Sequence, residues 1–334
     1  MKILLTGGAG FIGSHMAGFL LKQKVPFTIV DNLSNADLSN ISKLEFKFQQ
    51  KIEFIKIDLR DKAALHSLLA KQKFSTVIHF AALKSVEESI KNPDLYFDNN
   101  VEGTKVLLEM VKNFNIKQFI YSSSACVYGN PNYFPIDENH ELKPTSPYGA
   151  TKVTCEKLLE VDPFFSRDSI TTILRYFNPV GAFDGGLIGE LTSSNPTNLM
   201  PNLVLAALQN NQRLNIYGND YDTRDGTTIR DFIHIMDLVE AHFYALKNIK
   251  PGISIYNVGT GNGYTIQEMI STFEHVNQVK IPTSISSRRL GDVAVSYADI
   301  TKIKKDLNWK AKYNLDSMCK DAFMYAKINH KTLD

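Results

Sequence analysis

A glycine-rich segment directly after the first apolar run most strongly constrains the fold of this 334-residue chain. Lys2 to Thr6 have the length and apolar character of a buried strand, and Gly7-Gly8-Ala9-Gly10-Phe11-Ile12-Gly13 follows at once. Gly7 and Gly10 allow a tight turn and a close backbone approach to a pyrophosphate, and Gly13 allows the next helix to pack on the sheet. The N–H groups that begin this helix would face the anion. The segment predicts a dinucleotide site, although the motif alone also fits a tight turn without a ligand.

Strand-length apolar runs alternate with helix-length periodic segments through the first half of the chain. After the first strand, we predict strands at Phe27–Asp31, Ile52–Asp58, Thr76–Ala81, Gln118–Ser123 and Ile170–Tyr176. We predict helices at Gly13–Lys24, Ala63–Gln72, Val101–Asn113 and Tyr148–Glu160. This alternation predicts an α/β fold with a doubly wound parallel sheet, the Rossmann arrangement, covered by helices on both faces.

The pattern changes after about residue 180, where Gly, Asn and Pro become frequent. Helices are predicted beyond it near Leu203–Gln209, Ile235–Asn248 and Ile266–His275, and short strands at Leu214–Tyr217 and Ile255–Val258. We therefore expect residues 1–180 to form the dinucleotide-binding domain. Residues 181–334 should form a smaller α/β substrate domain that caps the carboxyl edge of the sheet. A chain that crosses between the domains more than once also fits this pattern.

Charge and cysteine content exclude several classes of function. The net charge is only +2 and no block of like charge occurs, so we expect no nucleic-acid partner. Cys126, Cys155 and Cys319 are far apart and lack metal-ligand spacing, so we expect no metal site and reduced thiols in a cytoplasmic protein. The first apolar run is too short for a signal peptide, and no stretch has the length of a membrane span.

Two carboxylates at predicted strand ends indicate which dinucleotide binds. Asp31 ends the second strand, about 20 residues after the glycine loop, where a carboxylate can accept hydrogen bonds from both hydroxyls of an adenosine ribose. It would repel a 2′-phosphate, which favours NAD over NADP. Asp58 and Leu59 close the third strand at the level of an adenine edge. A turn residue at position 31 and a helix cap at position 58 are the alternative interpretations.

Tyr148 and Lys152 lie four residues apart on a predicted helix and therefore share one face. An ammonium near a phenol favours the phenolate, so we expect a lowered pKa for Tyr148. Such a tyrosine can take a proton from an alcohol and return it to a ketone. Ser122, Ser123 and Ser124 end the fifth strand, where a hydroxyl could bind the same substrate oxygen. The combination predicts hydride transfer on alcohols, although each part alone fits ordinary helix or loop residues.

These residues belong to a chain that resembles the extended short-chain dehydrogenases/reductases, and within them the UDP-glucose 4-epimerases, over nearly its whole length. The matching segments are residues 6–15, 31–33, 79–86, 98–101, 122–129, 146–149, 175–182, 217–221, 225–227, 230–234 and 289–292. Arg175-Tyr176-Phe177-Asn178-Pro179-Val180-Gly181-Ala182 is especially diagnostic. So many independent motifs in the family's order make a chance resemblance implausible.

The resemblance implies a set of cofactor-binding residues around NAD. Lys84 would reach a cofactor phosphate, Lys152 would bind the nicotinamide ribose, and Asn99 and Tyr176 would line the pocket. The full expected set is Gly7, Gly10, Phe11, Ile12, Gly13, Asp31, Asn32, Asp58, Leu59, Phe80, Ala81, Ala82, Lys84, Asn99, Ser122, Tyr148, Lys152 and Tyr176.

The resemblance also implies roles toward a UDP-sugar. Tyr148 would remove the proton of the 4-hydroxyl while Ser124 holds that oxygen. Arg230 and Arg289 would bind the diphosphate, as the bidentate guanidinium geometry suits, and Asp292 would bind the uridine ribose. The full expected set is Lys84, Ser124, Tyr148, Asn178, Asn198, Leu199, Tyr217, Arg230, Arg289, Asp292 and Ser296. The implied reaction interconverts UDP-glucose and UDP-galactose through a 4-keto intermediate, with no net redox change.

Two departures from family patterns refine this expectation. The acid and base of a sugar 4,6-dehydratase would be an Asp-Glu pair in the segment that reads Ser124-Ala125-Cys126 here, and neither carboxylate is present. Ser296 stands at a position where a bulky tyrosine leaves no room for a 2-acetamido group. We therefore expect UDP-GlcNAc and UDP-GalNAc to be accepted as well, unless the neighbouring Tyr297 fills the space.

Three other functions were considered beside epimerisation. A nucleotide-sugar dehydrogenase or reductase would exchange NAD(H) with solvent, a 4,6-dehydratase would eliminate water, and an NAD-sensing regulator would not need Ser124, Tyr148 and Lys152 together. The resemblance also implies a homodimer, formed by the helices at Val101–Asn113 and Thr151–Glu160. Because no stretch has the length of a membrane span, we expect no membrane partner.

Overall fold

A computed structural model describes residues 1–190, 196, 198–209, 212–289 and 291–330. Its strands are β1 Ile3–Thr6, β2 Phe27–Asp31, β3 Phe54–Lys56, β4 Thr76–His79, β5 Gln118–Ser124, β6 Ile170–Tyr176, β7 Asn178–Val180, β8 Ala182–Phe183, β9 Ile188–Gly189, β10 Leu214–Tyr217, β11 Ile229–His234, β12 Gly252–Val258, β13 Gly263–Thr265, β14 Thr283–Ser286 and β15 Val295–Ser296.

The α-helices are α1 Phe11–Lys22, α2 Ser39–Phe48, α3 Lys62–Lys71, α4 Val86–Lys91, α5 Pro93–Tyr96, α6 Gly103–Asn113, α7 Pro147–Val161, α8 Leu199–Leu208, α9 Ile235–Leu246, α10 Ile266–Asn277, α11 Thr301–Leu307 and α12 Leu315–His330. Phe97–Glu102 and Phe164–Asp168 are π-helical, and Ala125–Val127 is a 3₁₀ turn.

The largest sheet has seven strands in the order β12-β6-β5-β4-β1-β2-β3. Strand β1 pairs in parallel with β2 on one side and with β4 on the other, and β3 and β5 extend the two sides. The chain therefore reverses its direction of winding at β1, which places a crevice for a dinucleotide beyond the carboxyl ends of β1 and β4. The predicted α/β class and Rossmann arrangement are confirmed.

The chain forms two compact units that exchange segments. Unit 1 contains residues 1–129, 142–175 and 239–256, and unit 2 contains residues 130–141, 176–238 and 257–334. The expected boundary at residue 180 lies near the division after Arg175. The assignment of 1–180 and 181–334 to two separate binding roles stays a prediction.

Parts of one strand and one helix lie in a different unit from the one expected. The strand predicted at Ile255–Val258 is the end of β12, an edge strand of the seven-stranded sheet. Residues 252–256 of β12 and most of α9 belong to unit 1. Both were expected in the smaller domain because they follow the change of pattern at residue 180. Sequence order alone does not reveal that the chain returns to an earlier sheet.

Each unit has its own hydrophobic core. In unit 1, apolar side chains of the central strands pack with α3, α6 and α7, among them Leu4, Val77, Leu107, Phe119 and Leu159. In unit 2, α8, α10 and α12 pack on β10 and β11. The sequence reading missed α12, yet Leu315, Met318, Cys319, Ala322, Phe323 and Ala326 bury a stripe at helical spacing. Among the described residues, no helix is long and apolar enough to span a membrane.

Candidate active site

The glycine loop adopts a conformation that side chains would prevent. Gly7 has φ +69°, and a Cβ added to it would lie 2.5 Å from the backbone nitrogen of Ala81. A Cβ on Gly13 would lie 2.3 Å from the carbonyl oxygen of Gly7. Helix α1 begins after Gly10 with no side-chain cap and no acidic residue in its first turn. Its N-terminal N–H groups are therefore open to an anion, as pyrophosphate binding requires.

Asp31 connects the end of β2 to the glycine loop. Its carboxylate accepts hydrogen bonds from the backbone N–H groups of Ala9 (3.1 Å) and Leu33 (2.9 Å), and burial raises its pKa. The backbone N–H groups of Asn32 and Gly10 also lower the pKa of Asp31, so ribose hydroxyls would have to share acceptor positions that the backbone already uses. Asp31, which was predicted to bind the ribose, thus also fixes the glycine loop that was predicted to hold the phosphates. Both features fit NAD.

Asp58 is already bonded to two neighbouring side chains. Asn32 donates to one carboxylate oxygen at 3.0 Å, and the Arg60 guanidinium donates to both. The Arg60 hydrogen bond is the largest cause that lowers the pKa of Asp58 below its usual range. The alternative of a helix cap does not apply to Asp58, because Asp61 accepts the hydrogen bond from Ala64 at the start of α3.

The other predicted cofactor residues lie mainly at the carboxyl edge of the same sheet. The exposed Lys84 places its ammonium 5.9 Å from the ring centroid of Phe11, the first residue of α1. Leu59 follows β3, and Phe80, Ala81 and Ala82 follow β4. Ser122 lies near the end of β5, and Tyr176 ends β6. Ile12 lies in α1, and Asn99 lies in the first π-helical segment.

Ser124, Tyr148 and Lys152 come together where β5 meets α7. Ser124 is the last residue of β5, and its hydroxyl lies near enough to the Tyr148 phenol to lower the pKa of Tyr148. Lys152 donates from Nζ to the carbonyl oxygen of Ser122 at 2.8 Å, and this Nζ lies 5.9 Å from the Tyr148 ring centroid. Ser146 caps α7 by accepting from Gly149, which fixes the first turn that carries Tyr148. The geometry therefore assembles the predicted acid–base group.

The expectation of a lowered pKa for Tyr148 is wrong for the chain by itself. Burial raises the pKa of Tyr148, and the hydrogen bond from Ser124 offsets only part of this rise. Burial also lowers the pKa of Lys152 to about 8, because a buried ammonium loses its hydration. The spacing of Tyr148 and Lys152 in the sequence indicates the attraction between the two charges but not the desolvation of each. A further positive charge beside the phenol is needed to favour the phenolate.

A buried ion pair next to the predicted acid–base residues connects helix α7 to the sheet. Arg175 donates from Nη2 to Glu156 at 2.7 Å, and both side chains are almost fully buried. Glu156 also accepts from Ser123, and Arg175 donates to the Tyr128 hydroxyl at 3.0 Å. Glu156 follows Lys152 by one helical turn, so the pair ties α7 to the ends of β5 and β6. This function of Arg175 was not predicted, although Arg175 begins the motif at residues 175–182.

In unit 2, three of the predicted substrate residues are adjacent. Arg230 in β11 pairs in register with Ser296 in β15, and its guanidinium forms an ion pair with Asp292. Arg230 was expected to bind the diphosphate and Asp292 the uridine ribose. Each is thus bonded to the other, and a bound nucleotide would have to share or replace that contact.

The other predicted substrate residues of unit 2 lie on two structural features. The Arg289 guanidinium stacks on Tyr217 at 3.9 Å from the ring centroid, which joins the end of β10 to the loop after β14. Asn178 in β7 donates to the carbonyl oxygen of Asp231 in β11. Asn198 immediately precedes α8, and Leu199 is the first residue of that helix. The side chain of Asn198 forms no capping hydrogen bond with the helix.

Comparisons with known proteins agree with this site. A model of the GDP-mannose 4,6 dehydratase family matches residues 4–322. A UDP-glucose 4-epimerase of Dictyostelium discoideum is 44% identical over 335 residues, which cover 98% of this chain and 96% of the relative. The chain belongs to the UDP-glucose 4-epimerase family.

Two solved structures of this family are similar to the chain over nearly its whole length. The UDP-glucose 4-epimerase of Stenotrophomonas maltophila, solved with bound NAD and formylated UDP-arabinopyranose, is 39% identical with a TM-score of 0.95, and 99% of each chain is covered. The UDP-Glc/GlcNAc 4-epimerase of Campylobacter jejuni is 35% identical with a TM-score of 0.82, covering 98% of this chain and 99% of that one. The epimerase resemblance drawn from the motifs is confirmed.

Several residues that organise this epimerase-family site were not predicted. Asn100 and Thr151 are buried and hydrogen-bonded beside Tyr148, and Tyr96 packs edge-on against the Tyr148 ring with centroids 6.5 Å apart. Their signal in the sequence is weak, because short polar residues in helices usually face solvent or a neighbouring turn. Asn100 stood within a quoted motif, but only its neighbour Asn99 was assigned a role.

Proposed function

We propose that this chain is an NAD-dependent UDP-sugar 4-epimerase. The observation that carries the proposal is the meeting of Ser124, Tyr148 and Lys152 at the end of β5, in the same unit as the glycine loop and Asp31. An acid–base hydroxyl beside a dinucleotide fold suits reversible oxidation of an alcohol. Family membership and the nucleotide-sugar residues of unit 2 support a UDP-sugar as the alcohol.

The glycine loop and Asp31 would hold NAD, which would supply a reversible hydride acceptor for C4 of the sugar. The chain's own residues manage the proton and the geometry. Tyr148 takes the proton of the 4-hydroxyl as the C4–H bond breaks, and it gives the proton back when the alcohol forms again. Ser124, whose hydroxyl lies near the Tyr148 phenol, would hold the substrate oxygen by a hydrogen bond beside Tyr148. Lys152 is anchored on Ser122 and contributes positive charge beside the phenol.

Two measurements on the purified protein test this function. We expect bound NAD to co-purify, and UDP-galactose to convert to UDP-glucose with no cofactor added. Turnover that requires added NAD and accumulates NADH would instead indicate a nucleotide-sugar dehydrogenase. A protein that binds NAD but converts no UDP-sugar would indicate the regulatory alternative.

The name of the matching family model raises the dehydratase alternative again. The segment that would supply its acid and base contains Ser124 at the end of β5 and then Ala125 and Cys126, and the 3₁₀ turn there carries no carboxylate. Oxidation at C4 therefore finds no paired groups in this segment for elimination of water across C5 and C6. Appearance of a 4-keto-6-deoxy product from a UDP-sugar would overturn the choice of epimerase.

The position of Tyr297 supports an open space beside Ser296. Side chains alternate along a strand, so Tyr297 points away from the face that Ser296 shares with Arg230. The Tyr297 ring stacks on Phe134, with centroids 5.9 Å apart and planes at 17°, and it also lies against Gly263. We infer that Ser296 leaves room for a 2-acetamido group, so UDP-GlcNAc and UDP-GalNAc are substrates. A rate on UDP-GalNAc below about 1% of that on UDP-galactose would contradict this inference.

We also propose a homodimer through the helical region around α6 and α7. Several exposed apolar side chains lie on the helical segments that precede α6, and such a cluster favours an interface with a second copy: Val86, Ile90, Leu95 and Phe97. Sedimentation velocity should give a dimer, which Ile90→Asp with Phe97→Asp should convert to monomer. The cytoplasmic location stays a prediction that rests on the cysteine pattern.

A further inference from the structure

The side chain of Asn100 lies between the loop after β4 and the catalytic helix α7. Its amide oxygen accepts from the backbone N–H of Leu83 at 2.8 Å, and its amide nitrogen donates to the Leu83 carbonyl oxygen at 3.0 Å. The same nitrogen donates to Thr151 Oγ1 at 3.2 Å, and Asn99 donates to the amide oxygen at 2.9 Å. All four hydrogen-bonding positions of this buried amide are therefore used, which fixes its orientation.

Thr151 connects the fixed side chain of Asn100 to the backbone of Tyr148. Its hydroxyl accepts from Asn100 and donates to the carbonyl oxygen of Tyr148 at 2.7 Å, and Thr151 is fully buried. A chain of two hydrogen bonds thus runs from Asn100 to the backbone of Tyr148. Leu83, at the other end, lies between Ala82 and Lys84, which the cofactor prediction places at NAD.

We propose that Asn100 and Thr151 are positioning residues that hold Tyr148 in register with the cofactor loop. This inference rests on the proposed function, because it concerns the geometry of hydride and proton transfer from one C4 atom. Proton acceptor and hydride acceptor must both lie correctly around that atom, and displacements of about 1 Å can cost about 100-fold in rate. A bonded path between the loop and Tyr148 keeps the two in fixed relation.

The helix itself supplies a matched control. Thr154 also donates from its hydroxyl to a carbonyl oxygen in α7, that of Ala150 at 2.9 Å. Hydroxyl-to-carbonyl bonds of this kind are ordinary local features of threonine in helices. Thr154→Val removes such a bond without touching the Asn100 path or the Tyr148 carbonyl, whereas Thr151→Val removes both links of the path at nearly constant volume.

The experiment compares Thr151→Val, Thr151→Ser and Thr154→Val in the NAD-loaded protein with UDP-galactose. We expect Thr151→Val to lower kcat and the single-turnover rate of cofactor reduction by about tenfold, with KM, NAD content and Tm close to wild type. Thr151→Ser restores the hydroxyl and should recover kcat to within about twofold. Thr154→Val should keep wild-type kcat.

Distinct results would overturn the proposal. An unchanged kcat for Thr151→Val, an equal loss for Thr154→Val, or a loss in Thr151→Ser equal to that in Thr151→Val would each show that Thr151 is only a helix residue. If Thr151→Val fails to accumulate, Thr151→Ala decides the same question. Failure of the wild-type protein to turn over UDP-galactose would refute the proposed function itself, and this is seen before any variant is compared.

Discussion

The predicted catalytic region of unit 1 and the predicted substrate residues of unit 2 are held in contrasting ways. Lys152 and Thr151 are buried and bonded to backbone carbonyl groups, which do not exchange partners with solvent. Arg289 is exposed and rests on an aromatic ring, and Arg230 is paired with a partly exposed carboxylate. The first arrangement fixes a proton acceptor in place, whereas the second keeps cations ready to take a new anionic partner.

This difference matches what the two steps of the proposed reaction require. Transfer of a proton and a hydride gains from groups that do not reorganise. A diphosphate is bound from water, so its partners must give up hydration or a weak ion pair and replace it with charge-assisted hydrogen bonds. Changes in unit 1 should therefore lower kcat, and changes in the arginines of unit 2 should raise KM.

The largest expected effect follows from Tyr148→Phe. Removing the hydroxyl removes the proton acceptor, and general acid–base catalysis is worth about 10²–10⁴ in rate, so kcat should fall by that factor. NAD content and Tm should stay near wild type, because the ring and its contact with Tyr96 remain. Steady-state kinetics on UDP-galactose measure the effect. Tyr133→Phe, which removes an exposed hydroxyl, is the control, and normal turnover in Tyr148→Phe would remove it from its role.

The next effect concerns the group at C2 of the sugar. Ser296→Tyr should fill the space beside Arg230 and lower the rate on UDP-GalNAc by more than about 100-fold, while the rate on UDP-galactose changes little. Ser296→Ala keeps the position small and should retain activity on both substrates. Equal activity of Ser296→Tyr on the two sugars would show that the acetamido group does not lie near residue 296.

The sequence predicted some parts of this molecule better than others, for physical reasons. Strand β2 at Phe27–Asp31 and strand β6 at Ile170–Tyr176 match the prediction in full, because both are short runs rich in β-branched and aromatic residues. Helix α4, helix α5 and the following π-helical segment were not predicted, since each is short and has an exposed polar face. The last of these segments contains Asn100, which was therefore not predicted to have a role.

In the candidate site, the residues that carry charge could be predicted from the sequence. The contacts that orient them and the burial that shifts their pKa values could not. Tyr148, Lys152 and Asp31 could be found because their chemistry is specific and their spacing is regular. The raised pKa of Tyr148 could not be predicted, since it depends on how far α7 is buried rather than on the distance to Lys152. The Glu156–Arg175 pair could not be predicted either, because the two residues meet only when α7 packs on the sheet.

A smaller effect, in unit 2, is expected from Arg289→Ala. Losing a charge-assisted hydrogen bond costs about 1.5–3 kcal/mol, so KM for UDP-galactose should rise about 10–100-fold. The value of kcat should change little, because the nucleotide is held alike in the ground state and the transition state. Arg224→Ala breaks an exposed pair with Glu268 and is the matched control. A fall in kcat without a rise in KM would contradict the contrast between the two units.

The smallest effect tests the rigidity of unit 1 through its stability. His79 is buried between Thr6, 2.7 Å from Nδ1, and Thr104, 2.9 Å from Nε2. Thr104 donates its own proton to the carbonyl oxygen of Asn100, so it accepts from Nε2–H, and Nδ1 accepts from Thr6. Burial, and then the charge of Lys152, lower the pKa of His79 to about 3. The folded chain therefore keeps this imidazole neutral at pH values where the unfolded chain protonates it.

The sign of the pH dependence follows from this difference. Below the ordinary histidine pKa of about 6.5 the unfolded state binds the extra proton, so the free energy of unfolding should fall by up to about 1.4 kcal/mol per pH unit as the pH drops towards 3. His79→Asn removes that contribution, and denaturant unfolding at several pH values between these limits should show a shallower slope than wild type. Thr104→Val weakens the same network without removing the titrating group, so it should lower stability at every pH and keep the wild-type slope. Parallel curves for His79→Asn and wild type would mean that the imidazole already titrates normally in the fold, and that the packing beneath Lys152 is looser than that of a fixed catalytic core.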